Sequence, residues 1–275
     1  MYESKIIKDS ICNGFRLTTM QVTHPLVVHA EFMTHCMFAR NASSSRAIPF
    51  KKVLEKVQQD PYIPTYWGKN QPGMQAKEEL QGDQKILAQG AWLAAKNYAI
   101  VQAQELHDLG LHKQIVNRLL GPWMWITCCV TGDEGAWSNY CALRCHPDAD
   151  PAIQKQAFMV RDAYSASVPE ELEIGSWHLP YVDANEFTIP TDTAKVSVGR
   201  CARVSYLTQE GKRDPKEDIA LHDRLVNSTP MHASPFEHVA KARGGRFAKY
   251  AGWESYRHTL EGEYTTDYFK ERAAK

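Results

Sequence analysis

Residues 34 to 46 read T-H-C-M-F-A-R-N-A-S-S-S-R, which sets a histidine, an asparagine, three consecutive serines and an arginine in one short stretch. Serine hydroxyls donate hydrogen bonds, and if the chain turns here its backbone N–H groups converge on an anion. Arg46 adds a planar charged fork that matches phosphate oxygens. The chemistry these residues suit is capture of a phosphorylated small molecule by Ser44, Ser45 and Arg46. On local pattern alone a serine-rich surface turn beside an arginine is the commoner structure, so the rest of the chain decides.

The elements that must position these residues come next. Phe15 to Val22 is rich in threonine and apolar residues and predicts a strand, and Pro25 suits a first helical position. A helix to about Arg40 is expected, its core stripe being Leu26, Ala30, Met33 and Met37. Glu31, Thr34, His35 and Phe38 then share another face, so that Glu31 and His35 look into a common site. Residues 61 to 84 are dense in proline, glycine, glutamine and charge and predict a long functional or interface loop, whose aromatics either stack on a flat ligand or pin the loop.

Leu87, Ala91, Ala94, Tyr98 and Val101 recur at helical spacing and predict a packing helix stopped by Gly110, with a second helix from about His112. Leu119 to Val130 predicts buried core. Asp150-Pro151 is an N-cap and first-turn pair for a helix whose face is Ile153, Ala157, Val160 and Tyr164. Residues 169 to 192 lack periodicity and predict a linker, and Asp214-Pro215-Lys216-Glu217 starts a helix through Val226.

The chain has 275 residues, 43% of them hydrophobic, enough for a substantial core. Lys+Arg and Asp+Glu both total 32, which argues against a nucleic-acid polymer or an acidic membrane surface as partner. No apolar run approaches the roughly 20 residues needed to cross a bilayer. Seven cysteines, an odd number, without a signal-peptide pattern predict reduced thiols and a cytosolic protein. Cys128, Cys129, Cys141, Cys145 and His146 match no zinc-finger spacing, so core cysteines and no metal are expected.

H-A-S-P-F-E-H at 232 to 238 is the second chemical cluster, and with it the chain resembles the flavin-dependent thymidylate synthases, in particular phage-borne relatives, whose setting would be a host cytoplasm. That family's R-H-R-x-x-S-x-N-x-x-S-x-R signature matches residues 34 to 46 at His35, Asn41, Ser44 and Arg46. Thr34, Cys36 and Ala39 depart from it. N-R-L-L-G-P at 117 to 122 resembles the family's R-x-x-x-P segment, S-N-Y-C-A-L-R at 138 to 144 its N-x-x-x-L-R motif, and G-R-C-A-R-V-S-Y at 199 to 206 its amino-terminal module. That module normally precedes the signature, so the order resembles a circular permutation: a signature part at 1 to 168, a linker at about 169 to 192, the displaced module at about 193 to 240, and an extension at 241 to 275 without a counterpart.

The resemblance implies an α+β fold, a sheet packed with long helices, in one catalytic domain, and a homotetramer whose sites are assembled from several subunits. It implies conversion of dUMP to dTMP with methylenetetrahydrofolate as carbon donor, FAD as the flavin and NADPH as its reductant. On the nucleotide side it implies Ser44, Ser45, Arg46, Arg118 and Arg144, with Arg144 toward the pyrimidine carbonyls as the catalytic residue. On the flavin side it implies His35, Asn41, Asn139, Ser205 and Ser234, with His232 and Glu237 nearby.

Glu31 stands where the family commonly has glutamine, and an ionised carboxylate only accepts hydrogen bonds. It suits a cytosine amino group, which opens methylation or hydroxymethylation of another pyrimidine nucleotide such as dCMP as an alternative. The lost arginines open a second alternative, a non-catalytic flavin- or nucleotide-binding relative. A Cys36 thiolate adding to the pyrimidine is disfavoured, because family members manage without one and a buried helix cysteine is usually inert.

Overall fold

Asn13 and Gly14 both take positive φ, 49° and 80°, the backbone that a two-residue hairpin turn demands. They join strands β1 (Glu3–Cys12) and β2 (Phe15–Pro25), which pair antiparallel from Cys12↔Phe15 outward. A 3-10 turn at Leu26–Val28 and a four-residue helix α1 (His29–Phe32) follow, then β3 (Ala39–Ala42) and α2 (Phe50–Gln59). The long helix α3 (Gly82–Asp108) ends before Gly110, whose φ is 84°, and α4 (Lys113–Val116) runs into a 3-10 helix at Asn117–Trp123. Next come β4 (Trp125–Asp133), α5 (Glu134–Arg144), α6 (Pro151–Ala166), β5 (Glu170–Glu171) and β6 (Trp177–His178). The carboxyl-terminal part holds α7 (Pro190–Arg203), α8 (Pro215–Val226), a 3-10 helix at Ser234–His238, β7 (Ala240–Arg246) and β8 (Ala251–Ser255). This computed structural model describes residues 1–183, 190–206, 214–247 and 249–260, so parts of the expected linker, of the expected displaced module and of the expected extension lie outside the described residues.

The strands make a five-stranded sheet in the order β3-β4-β2-β1-β5 and a three-stranded sheet in the order β6-β7-β8, so the fold class is α+β. Strand residues alternate between faces, and the two faces of the larger sheet have different partners. Met20, Val22, Ile126, Cys128 and Val130 face α5 and α6, packing with Phe32, Phe38, Trp137, Tyr140, Ile153 and Val160. Leu17 packs instead with Ala240, Ala242 and Trp253 of the smaller sheet and with Tyr250 just before β8.

A chain of polar groups crosses this second interface: Ser10 Oγ to His178 Nδ1 (2.9 Å), His178 Nε2 to Thr19 Oγ1 (2.8 Å), Thr19 to Thr131 (2.6 Å) and Thr131 to His238 Nδ1 (2.9 Å). All five residues are buried, and burial holds His178 far below the usual histidine range. A buried chain of hydrogen bonds of this kind favours one docking of the two layers.

Helices α7 and α8 cross at Gly199, where a Cβ would lie 2.3 Å from the Asp218 carbonyl oxygen. Asp218, fully buried, accepts from Arg200 Nε (3.0 Å) and Arg203 Nε (2.6 Å). The predicted caps are present. Asp150 accepts from the amides of Ala152 and Ile153, and Asp214 from that of Lys216.

Three expectations are corrected. The helix expected to reach Arg40 ends at Phe32, and Ala39–Ala42 pairs with β4 instead, which satisfies that strand's outer edge. Its expected core residues Met33 and Met37 are exposed, while Phe32, His35 and Phe38 are buried. The α3 face carrying Leu87, Tyr98 and Val101 points to solvent, and Ala99 and Ala103 supply the packing. Within 169 to 192, Glu170 and Glu171 pair with β1, and Trp177 and His178 with β7, so the segment takes part in both sheets.

Candidate functional site

Arg144 closes α5, where a cation complements the carbonyl end of the helix. Its guanidinium reaches the turn after α1: Nε donates to His35 Nε2 (2.9 Å), one terminal nitrogen to Glu31 Oε2 (3.1 Å), and the other to Thr34 Oγ1 (3.3 Å). The expected convergence of Glu31 and His35 is therefore present, and the group they converge on is Arg144. Because His35 Nε2 accepts, its proton sits on Nδ1. Burial, with Arg144 and then Arg40 adding positive charge, pushes the His35 pKa down to about 4, so the ring is neutral. Tyr140 meets its edge at 4.8 Å between centroids.

Glu31 and Arg144 line one end of a cleft of about 610 Å³ whose other walls include Tyr62, Tyr66 and Trp92. The 61 to 84 loop is both pinned and cleft-forming: Trp92 Nε1 donates to the Tyr62 carbonyl (3.0 Å), Tyr66 Oη donates to the Ala76 carbonyl (2.9 Å), and Gly68 bridges to Glu79. The cleft combines flat aromatic surface with a hydrogen-bonded guanidinium, which suits a planar polar ring.

Ser44, Ser45, Arg46 and Arg118 line a second pocket, of about 260 Å³, together with His29. The chain does turn here, with the Ala47 amide on the Ser44 carbonyl (2.9 Å). The amides of Ser43 and Ser44 bond Thr127 O (2.7 Å) and Ser205 O (3.0 Å), so the pocket's anion donors are the hydroxyls and guanidiniums rather than those amides. Arg46 and Arg118 are exposed, and neither has an ion-pair partner among the described residues. Leu26 and His29 line this pocket while Val27 and Glu31 line the larger cleft, so the 26 to 32 segment stands between them. The expected nucleotide side is thus split within one chain.

The flavin-side residues do not form one cradle within one chain. Asn41 donates to the Cys201 carbonyl (2.7 Å) and accepts from Ser205 Oγ (3.0 Å), which docks β3 on the end of α7. His35 belongs to the Arg144 cluster. Asn139, His232 and Ser234 are exposed. Glu237 is engaged by Arg257 (2.8 Å) and Lys249 (3.7 Å). Within a single chain these residues do not fit an FAD.

Cys36 is exposed, not buried in a helix as expected. Tyr62, Trp92 and His29 are cleft or pocket residues to which no sequence motif gives a role. The only signal for the first was the aromatic loop composition. His29 carried none.

No protein-family model matches the chain, and no curated protein matches it. Among solved structures, it is similar to a UMP/dUMP methylase, PolB, from Streptomyces cacaoi, bound with 5-bromo-dUMP, with a TM-score of 0.45 and 19% identity. That match covers 55% of this chain and 66% of the other, just under two thirds of its length. The chain is also similar to the flavin-dependent thymidylate synthase ThyX from Helicobacter pylori, complexed with FAD and dUMP, with a TM-score of 0.40, 12% identity, and coverage of 54% of this chain and 67% of the other.

Proposed function

We propose that this chain methylates carbon 5 of a pyrimidine deoxynucleoside monophosphate, converting dUMP to dTMP with methylenetetrahydrofolate as carbon donor. FAD, reduced by NADPH, supplies the reducing equivalents when bound. The observation that carries this reading is the clustering of Arg144 with Glu31, Thr34 and His35, because it joins two motif blocks far apart in the sequence at the mouth of an aromatic cleft. Arg144 donates toward the ring carbonyls and stabilises charge that develops on the pyrimidine. The two exposed arginines and two serines of the second pocket suit the phosphate.

We infer a homotetramer with shared sites. One nucleotide cannot follow the expected residues through the 26 to 32 segment of a single chain, and the exposed Asn139, His232 and Ser234 are free to complete a flavin site on a second copy. The exposed apolar face of α3 supports the same inference. In this reading the motif order is that of a circular permutation, with residues 193 to 240 as the displaced module.

Glu31 supports a second reading. Its carboxylate, 44% exposed at the cleft, accepts but does not donate, which fits the amino group of dCMP better than the carbonyl of dUMP. One assay separates the readings. Purified protein is given methylenetetrahydrofolate, NADPH and carbon-5-tritiated dUMP or dCMP, and tritium release to water is followed. Yellow protein that releases label from dUMP, with the rate lost in Arg144→Ala, is the expected result. Release from dCMP alone establishes the second reading, and colourless protein that binds dUMP without release establishes a non-catalytic relative.

A further inference from the structure

His24, His29 and Cys128 come together on the helix-packed face of the larger sheet, although β3, α2, α3, α4 and a 3-10 helix separate Cys128 from the histidines in the sequence. His24 pairs with Ile126 across β2 and β4, so Cys128, two residues along β4, shares its face. The α1 segment brings His29 over them. The His24 and His29 rings stack at 5.4 Å between centroids, with His24 Nε2 and His29 Nδ1 3.1 Å apart. One ligand atom from each of the three residues lies within 4.8 Å of the other two.

Two features distinguish this group from ordinary core packing. His24 and Cys128 are buried, and His24 Nδ1 has no hydrogen-bond partner among the described residues, an arrangement that buried polar groups rarely keep. The donor set is two imidazoles and a thiol with no carboxylate, which suits a borderline-soft divalent ion over magnesium or calcium. His29 is half-buried and also lines the pocket of Ser44, Arg46 and Arg118, which provides an entry path.

We propose that His24, His29 and Cys128 form a site for a divalent ion of the zinc class, with three protein ligands and a fourth position open toward the serine and arginine pocket. An ion bound at the 2.0 to 2.3 Å that zinc takes replaces the His24 Nε2 to His29 Nδ1 hydrogen bond and draws the donors in around it. The site needs no nucleotide or flavin to form, although it opens on the pocket that the methylase reading gives to the phosphate.

Cobalt(II) titration of the metal-stripped full chain tests it, because a thiolate on cobalt gives a near-ultraviolet charge-transfer band that zinc displaces. The expected result is uptake of one equivalent with that band, loss of the band in Cys128→Ser, and at least about 10-fold weaker uptake in His29→Gln, the lower end of what losing even an outer partner of a ligand costs. No uptake, or the same band in Cys128→Ser, overturns the proposal, the latter pointing to exposed Cys36 or to Cys141 and Cys145. Should Cys128→Ser not fold, His29→Gln decides, because unchanged affinity there overturns the site.

Discussion

Arg144 serves acceptors on three residues at once, His35 through Nε and Glu31 and Thr34 through its two terminal nitrogens, which a lysine ammonium on its single flexible stem does not reproduce. Arg144→Lys therefore keeps the charge and loses the geometry. A charge-assisted hydrogen bond is worth about 1.5 to 3 kcal/mol, so kcat/KM in the tritium-release assay is expected to drop roughly 10- to 150-fold, and full activity in this variant sinks the assignment. His35 adds a pH dependence. Its folded pKa of about 4, set by burial, Arg144 and Arg40 with Glu31 and Tyr140 also nearby, lies below the unfolded value of 6.5. Between those values the unfolded chain binds a proton that the folded chain does not. Stability is therefore fully present above pH 6.5 and falls as pH drops toward 4, by at most about 3 kcal/mol from this residue. Urea unfolding at pH 7.5 and pH 5 measures it, and His35→Gln, whose carbonyl still accepts from Arg144, should flatten the slope.

At the scale of elements, the segment 199 to 206 is spent on docking. Gly199 lets the α8 backbone approach α7, Arg200 and Arg203 grip Asp218, and Ser205 holds Asn41 of β3. Gly199→Ala forces the Asp218 backbone to move and is expected to cost about 1 to 3 kcal/mol. Asp218→Asn removes the carboxylate between two buried guanidiniums and is expected to cost more, about 3 to 5 kcal/mol. Thermal unfolding checks both, and a Gly199→Ala protein as stable as the parent rejects the tight crossing. The same docking accounts for a motif that is legible in the sequence yet plays a different part in the fold, since Asn41 and Ser205 were expected to face a cofactor and within the chain they face each other.

For the whole molecule, α3 carries an apolar face that no described residue covers. Leu87 is 72% exposed and Tyr98 71%, on a helix long enough to pair with a copy of itself. Exposed apolar surface on this scale marks an interaction face. Light scattering is expected to give a tetramer for the parent chain, and Leu87→Asp with Tyr98→Asp is expected to shift the mass downward and abolish turnover together. A monomeric parent rejects both the interface and the shared sites.

The sequence by itself determined whatever is local or periodic. The caps at Asp150 and Asp214, the stop at Gly110, the strand from Phe15 and the Ile153, Ala157 and Val160 face follow from backbone and packing preferences that act within a few residues. It also brought Glu31 and His35 toward one place, but through a helical face that the chain does not have: α1 ends at Phe32, and the two meet through Arg144. The tertiary structure decided the rest, because strand pairing outweighs local helical pattern when an open sheet edge needs partners. That pairing turned residues 39 to 42 into β3, exposed Met33, Met37 and Cys36, and drew 170 to 178 into the sheets. It also brought Arg144 to His35 across more than one hundred residues, and His24 and His29 to Cys128, contacts made by register between distant strands and by helix packing, which no spacing along the chain encodes.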